Sequence, residues 1–261
     1  MLKTGVYVDA ANINQNGGWG MRYDILKKVA TRGTAHLLRA NAYVVRDKDR
    51  EKNNSEWRTK VGRYFDKLRS FGFKLFEKVV ATYTDEDGNV SRKANADMEI
   101  AVDALLQVKN LDRIVLLSGD GDFVRLVQAL QNMGCRVEVI AFKNYSNKLR
   151  TEVDFFINGY LVPDLVPFDE KNEWGVEGNL VRGVISNWVN NKGYGFVNFL
   201  QTIDENLTHM EHWQTAILHK KALEGFENID TESLSGRIVE FRLNSRKDNR
   251  LAAENAVLIK T

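Results

Sequence analysis

Cysteine is almost absent: Cys135 stands alone, so no internal disulfide can form and a cysteine-rich zinc module is excluded. Proline is equally scarce, with only Pro163 and Pro167, both in one short stretch. No apolar run approaches the roughly 20 residues that span a bilayer. The opening MLKTGVYVDAAN lacks the apolar core and small-residue cleavage site of a secretion signal. These absences lead us to expect a cytoplasmic protein with no membrane partner. The common nucleotide loops GxxxxGK[ST] and GxGxxG are missing, and Ser118 sits in LLSGD rather than in a nucleophile elbow. The four histidines, His36, His209, His212 and His219, have no cysteine at metal-ligand spacing.

What is present is enough for a folded core. The chain has 261 residues with 43% hydrophobic and 28% charged side chains, within the range of ordinary globular domains. Net charge is only +2. Its distribution is uneven, however: residues 46–78 carry 11 basic against 6 acidic side chains. A local basic surface on a near-neutral chain suits a phosphate-bearing partner.

Short apolar runs alternate with helical periodicity through the first two thirds. Strands are expected at 5–8, 36–45, 113–117 and 136–141, and an extended run at 73–83 with a hairpin turn at Asp87-Gly88. Helices are expected at 23–30, 54–71, 97–108 and 122–133. This alternation predicts an α/β domain with a mostly parallel sheet and helices on both faces. The pattern ends near residue 162. Residues 163–179 are polar and aperiodic and read as a linker. Beyond it, strand-like runs at 180–188, 195–200, 237–243 and 256–259 predict a small β-barrel over 180–261.

Four carboxylates lie at the carboxyl ends of expected strands or at a helix start: Asp9, Asp97, Asp120 and Asp122. Sites of open α/β sheets form at those strand ends. Carboxylates with no histidine among them suit a hard cation such as Mg²⁺ or Mn²⁺, which could promote phosphodiester hydrolysis without a protein nucleophile. Each acid taken alone could simply cap a helix. Asp103, six residues after Asp97, is expected to point elsewhere. A calcium loop starting at Asp120 fails, with Arg125 at its sixth position and Gln131 at its twelfth. A dehalogenase-type phosphatase would need an aspartate at position 11, which is Ala11.

Val6-Tyr-Val-Asp-Ala-Ala-Asn12, Lys93 with Asp97 to Asp103, and Leu116-Leu-Ser-Gly-Asp-Gly-Asp-Phe123 resemble, in order, the blocks of the NYN domain, in its LabA-like branch. The resemblance covers about residues 1–162. It implies a PIN-like three-layer α/β/α sandwich and a divalent-metal-dependent ribonuclease site. Carried over by position, Asp9, Asp97, Asp120 and Asp122 would hold metal, and Asn12 and Ser118 would orient water or phosphate. Residues 147–157 resemble the family's last helix, with Asp154 at the periphery of the site.

In the second domain, Lys192-Gly-Tyr-Gly-Phe-Val197 places glycines between aromatic residues, leaving rings free to stack on bases. The run resembles the first ribonucleoprotein motif of cold-shock domains, which are five-stranded OB barrels. The resemblance implies single-strand binding through Trp188, Tyr194 and Phe196, assisted by Lys192 and His209; Lys93, from the NYN-like blocks of the first domain, is expected to bind nucleic acid as well. The reading as a whole is a metal-dependent endoribonuclease acting on single-stranded RNA. The alternative is an inactive regulator that binds nucleic acid. Nothing in the sequence selects RNA over DNA, and a homodimer is compatible with it.

Overall fold

A computed structural model describes residues 1–84, 90–246 and 248–260. The hairpin turn expected at Asp87-Gly88 lies outside the described residues. In chain order the elements begin β1 (Lys3–Asp9), α1 (Ala10–Gln15), α2 (Tyr23–Thr31), β2 (His36–Arg46), α3 (Lys48–Asn53) and α4 (Ser55–Ser70). They continue with β3 (Lys74–Val79), β4 (Ala81–Thr84), β5 (Val90–Lys93), α5 (Asp97–Gln107), β6 (Arg113–Leu117), α6 (Val124–Asn132), β7 (Arg136–Ala141), α7 (Asn147–Glu152) and β8 (Phe155–Asn158). By backbone packing the chain forms two compact units, Met1–Trp19 with Thr34–Phe156 and Gly20–Gly33 with Ile157–Thr261.

The principal sheet has the order β3-β2-β1-β6-β7-β8. The β1 pairings with β2 and β6, and those of β2 with β3 and β6 with β7, are parallel. Central strands of such a sheet are covered on both faces, which is why β1 and β6 read as continuous apolar runs rather than alternating ones. The chain leaves β1 toward β2 on one side and returns as β6 on the other. This makes the β1/β6 boundary the sheet's topological switch point, where a crevice opens at the carboxyl ends.

Helix α5 shares a buried cluster with the sheet through Ile100 and Ala104, packed among Tyr7, Ile114 and Leu116. Two hydrogen bonds set its direction. Tyr7 donates its hydroxyl to Gln107 Oε1 at 2.9 Å, and Tyr43 donates to Asp103 Oδ2 at 2.7 Å. Because Tyr43 is the register partner of Asp9, the helix runs antiparallel to the strands and its first residue, Asp97, arrives at their carboxyl ends. Asp103 is thus a tie between helix and sheet.

One expected element changes character. The helix anticipated over 147–157 stops at Glu152, and Phe155–Asn158 is a strand. Of the two residues between them, Val153 and Asp154, the second accepts the Val137 N–H at 2.7 Å. Val137 lies near the start of β7, the end of the sheet opposite the carboxylates, so Asp154 belongs to sheet pairing and not to the site.

The second unit contains α2 and a closed five-stranded barrel. Its strands are β9 (Leu180–Val189), β10 (Tyr194–Phe199), β11 (Gln214–His219), β12 (Ile238–Ser245) and β13 (Leu251–Leu258), in the order β10-β11-β13-β12-β9. With β11 and β13 parallel and the β9/β10, β10/β11, β12/β13 and β9/β12 pairs antiparallel, this is consistent with an OB-like domain. Val181, Ile185, Val197, Phe199, Leu218 and Phe241 are among the residues filling the interior. The stretch 163–179 is anchored to this barrel: Trp174 joins its core and donates Nε1–H to the Leu200 carbonyl at 2.7 Å. Asn172 makes two hydrogen bonds to the Leu180 backbone.

Candidate carboxylate site and nucleic-acid surface

Asp9 ends β1, is 6% exposed, and caps α1 by accepting the Asn12 N–H through Oδ1 at 3.1 Å. Its other oxygen accepts the Ser118 hydroxyl at 3.2 Å. Burial is the main force that pushes its pKa up to about 6, and the neighbouring charges of Asp97 and Asp120 add to it. The two hydrogen bonds oppose the rise.

After β6 the chain makes a tight loop. Asp120 accepts the Asp122 N–H at 3.0 Å and so caps the short 3₁₀ turn Gly121–Phe123 that leads into α6. Gly119 and Gly121 permit this path, because a Cβ on Gly119 would stand 3.0 Å from Tyr145 and one on Gly121 2.8 Å from the Ser146 hydroxyl. Asp97 arrives from α5. Asn95 donates its amide to Asp97 Oδ2 at 2.6 Å and accepts the Asp97 N–H at 2.9 Å, which holds the carboxylate at the helix start. Burial raises the Asp97 pKa, and the charges of Asp120, Asp122 and Glu99 reinforce it.

The structure brings together three of the four expected acids. Asp97, Asp120 and Asp122 each offer one oxygen, all within 4.8 Å of one another. Asp9 stands behind them, coupled to the group by charge. Asn12 and Ser118, which the resemblance places beside the site to orient water or phosphate, both bond to the loop that carries Asp120. Asn12 Oδ1 accepts the Gly119 N–H at 2.9 Å. Ser118 is fully buried, donating to Asp9 and accepting the Asp120 N–H at 3.2 Å. They tie α1 to the site loop. Asn95 was missed from sequence; its signal is the Asn95-Ala-Asp97 spacing just ahead of a helical pattern.

Three carboxylates with oxygen donors only fit a hard divalent cation by donor chemistry. Burial is the larger cause of the raised Asp97 pKa, and the smaller contribution from the neighbouring carboxylates is the repulsion such a cation would relieve. Among the described residues a second group, His209, Glu211 and His212, meets the same spacing on an exposed 3₁₀ turn.

On the barrel, Tyr194 and Phe196 alternate outward along β10. They are half-exposed, with ring centroids 5.7 Å apart in an edge-to-face arrangement. Lys192 is exposed in the turn that precedes them, and His209 is exposed beyond β10. Trp188 does not join this face. Its register partner is Gly195, whose lack of a side chain lets the indole pack close: a Cβ there would lie 2.5 Å from the ring. The other neighbour of Trp188 is Phe226, at 5.4 Å. Lys93 closes β5, and its side chain lies outside what the structure describes. Among the described residues no helix is long and apolar enough to cross a membrane.

Comparison with known proteins follows the same lines. A family model for the NYN domain matches residues 3–162. The low amplitude and bright protein LabA of Synechococcus elongatus is 34% identical over 111 residues, covering 41% of this chain and 58% of that protein. The chain therefore matches less than two thirds of that relative's length. Among solved structures, a Vibrio parahaemolyticus protein of unknown function is similar at 26% identity, covering 60% of this chain and 92% of its own, with a TM-score of 0.48. Matched by the family model over more than half its length, and with a carboxylate cluster at the switch point of a PIN-like sheet, the chain belongs to the NYN domain family.

Proposed function

We propose that the protein is a divalent-metal-dependent endoribonuclease that hydrolyses phosphodiester bonds of single-stranded RNA, with the barrel binding the substrate. The observation that carries this reading is the convergence of Asp97, Asp120 and Asp122 within 4.8 Å, at the strand ends where α/β sheets bind ligands. These three, backed by Asp9, would hold Mg²⁺ or Mn²⁺, which when bound supplies charge for in-line attack by water on phosphorus. The chain's own part is positional. Asn95 fixes Asp97, while Ser118 and Asn12 fix the loop that presents Asp120 and Asp122.

The barrel supports the RNA side of the reading. In OB folds the face of the second and third strands and the loop between the first and second bind oligonucleotides. Here those are β10 and β11 with the turn holding Lys192. Tyr194 and Phe196 would stack on bases, a contact that tolerates most sequences, while Lys192 and His209 would meet the backbone. Exposed Arg58, Lys60, Arg63 and Lys67 on α4 would track further phosphates.

The test incubates purified protein with labelled single-stranded RNA, duplex RNA and single-stranded DNA in Mn²⁺, Mg²⁺ or EDTA, beside Asp120→Asn. Metal-dependent cleavage that vanishes in the variant is expected, with single-stranded RNA cut fastest. RNA bound but intact under every metal would instead assign a regulatory, non-catalytic role.

A further inference from the structure

Beside the carboxylates, on the far side of α1, lies a cavity of about 390 Å³. It is an open cleft bordered by α1, the end of β2, α3 and α4. Its walls carry four aromatic rings, Trp19, Trp57, Tyr64 and the buried Phe65, and two cations, Arg50 and Lys60. Trp19 and Tyr64 lie 5.8 Å apart at 34°. The Arg50 guanidinium sits 3.8 Å over the Trp57 ring, and Lys60 Nζ lies 5.0 Å over Trp19. The one acid on the wall, Asp47, caps α3 by accepting the Arg50 N–H at 2.9 Å.

We propose that this cavity is a nucleobase subsite, which takes one unstacked base of the strand whose phosphodiester lies at the carboxylates. The inference rests on the nucleic-acid reading of that site. Rings offer a sequence-tolerant stacking surface, and cations beside the rings meet the phosphates flanking a bound base. A volume of this size suits a small aromatic ligand. The Asn14 amide on the same wall supplies a donor and an acceptor for a base edge. Two features separate the cavity from ordinary core packing. Trp19 is 51% exposed, an uncommon position for a ring that serves only the interior. Trp57 Nε1, like Trp188 Nε1 in the barrel, is buried without a hydrogen-bond partner, and here the cost falls on a ring that lines an open cleft. The location completes the case. Helix α1 turns Asn12 toward the catalytic loop through Gly119 and turns Ala11 and Asn14 toward the cavity, so one strand can engage both.

The experiment measures binding of fluorescein-labelled single-stranded RNA in EDTA, where hydrolysis cannot intrude. A set of otherwise identical oligonucleotides each lacks one base, at successive positions. Apart from positions stacked on Tyr194 and Phe196, which a Tyr194→Ala, Phe196→Ala background removes, one register is expected at which base removal weakens binding about 5- to 100-fold. Trp57→Ala and Trp19→Ala should weaken intact RNA by a similar factor and erase the sensitivity at that register. Lys60→Gln, an exposed change that leaves the rings in place, should lower affinity and flatten its salt dependence while keeping the register. Thermal melting of each variant separates lost binding from lost folding. If every abasic oligonucleotide binds the wild type alike, or folded Trp19→Ala keeps the register, the subsite does not exist. Base-dependent binding without cleavage in Mn²⁺ would sink the nuclease reading and leave the subsite standing. Cleavage without base dependence would do the reverse.

Discussion

Ser118 donates its hydroxyl to Asp9 Oδ2 at 3.2 Å across a sequence separation of 109 residues. The same hydroxyl accepts the Asp120 N–H, so one buried oxygen joins the end of β1 to the loop after β6. Two carboxylates that would repel each other are thereby held at a set spacing. Ser118→Ala removes both bonds without creating bulk. Lowered stability by about 1–3 kcal/mol is expected, because the Asp120 N–H loses its acceptor in a largely buried place. Urea unfolding in EDTA measures this, and an unchanged midpoint would count against the link.

Asp120→Asn keeps the shape of the loop and its cap while removing one negative charge from the cluster. Mn²⁺ affinity should fall by more than about 10-fold, and RNA cleavage by at least about 100-fold. Isothermal titration and single-turnover cleavage measure the two effects separately. Cleavage that survives at the wild-type rate would remove Asp120 from the chemistry.

The raised pKa of Asp9 carries a pH dependence of definite sign. Its folded value, about 6, lies above the ordinary 3.8, so the folded state holds the proton more tightly than the unfolded chain. The stabilisation is complete below about pH 4 and is lost as pH rises to about 6, roughly 3 kcal/mol in total. About 1.4 kcal/mol of this falls between pH 5 and pH 7. The lowered groups Asp24, Glu99 and Asp248 act in the opposite direction, but only at and below the ordinary carboxylate range, while the raised Asp97 and Asp164 act in the same direction as Asp9. Metal-free protein should thus unfold at lower urea at pH 7 than at pH 5, and saturating Mn²⁺ should shrink the difference. A slope of the opposite sign in EDTA would contradict the buried, charge-coupled setting of Asp9.

The barrel separates two kinds of ring. Tyr194→Ala removes an outward ring, and should cost about 1–3 kcal/mol of RNA binding with little change in melting temperature. Trp188→Ala empties a packed position beside Gly195 and Phe226, and should cost about 3 kcal/mol of stability. Fluorescence anisotropy and thermal melting on both variants test the contrast. Equal loss of binding with equal stability would return Trp188 to the stacking face.

Legibility in the sequence followed the strength of local patterns. The runs 5–8, 113–117 and 136–141 are apolar on both faces because they become central strands of a parallel sheet, and that doubled burial shows in composition. The helix at Asp97 was visible in its periodicity. Strand β11 was not, because Gln214–His219 lies inside a long segment between turns, with only Ala216 and Leu218 buried among the barrel's core residues. Strand β13 starts at Leu251, ahead of the expected 256, because its core-facing residue there is Ala253, which has little β-propensity of its own.

Local chemistry alone determined that acids end strands and begin helices, that glycines flank them, and that a cationic stretch follows β2. Each of these is a matter of neighbours along the chain. Tertiary structure decided which acids meet. Asp97, Asp120 and Asp122 converge because α5 runs antiparallel to the sheet, tied by Tyr43 and Tyr7, whereas Asp154 is drawn to the opposite end of β7. The same packing turned Ser118 inward, bonded the half-buried Asn12 to Gly119 and laid Trp188 onto Gly195. A side chain's direction depends on which distant backbone offers it a partner or a space, and a one-dimensional pattern does not encode that choice locally.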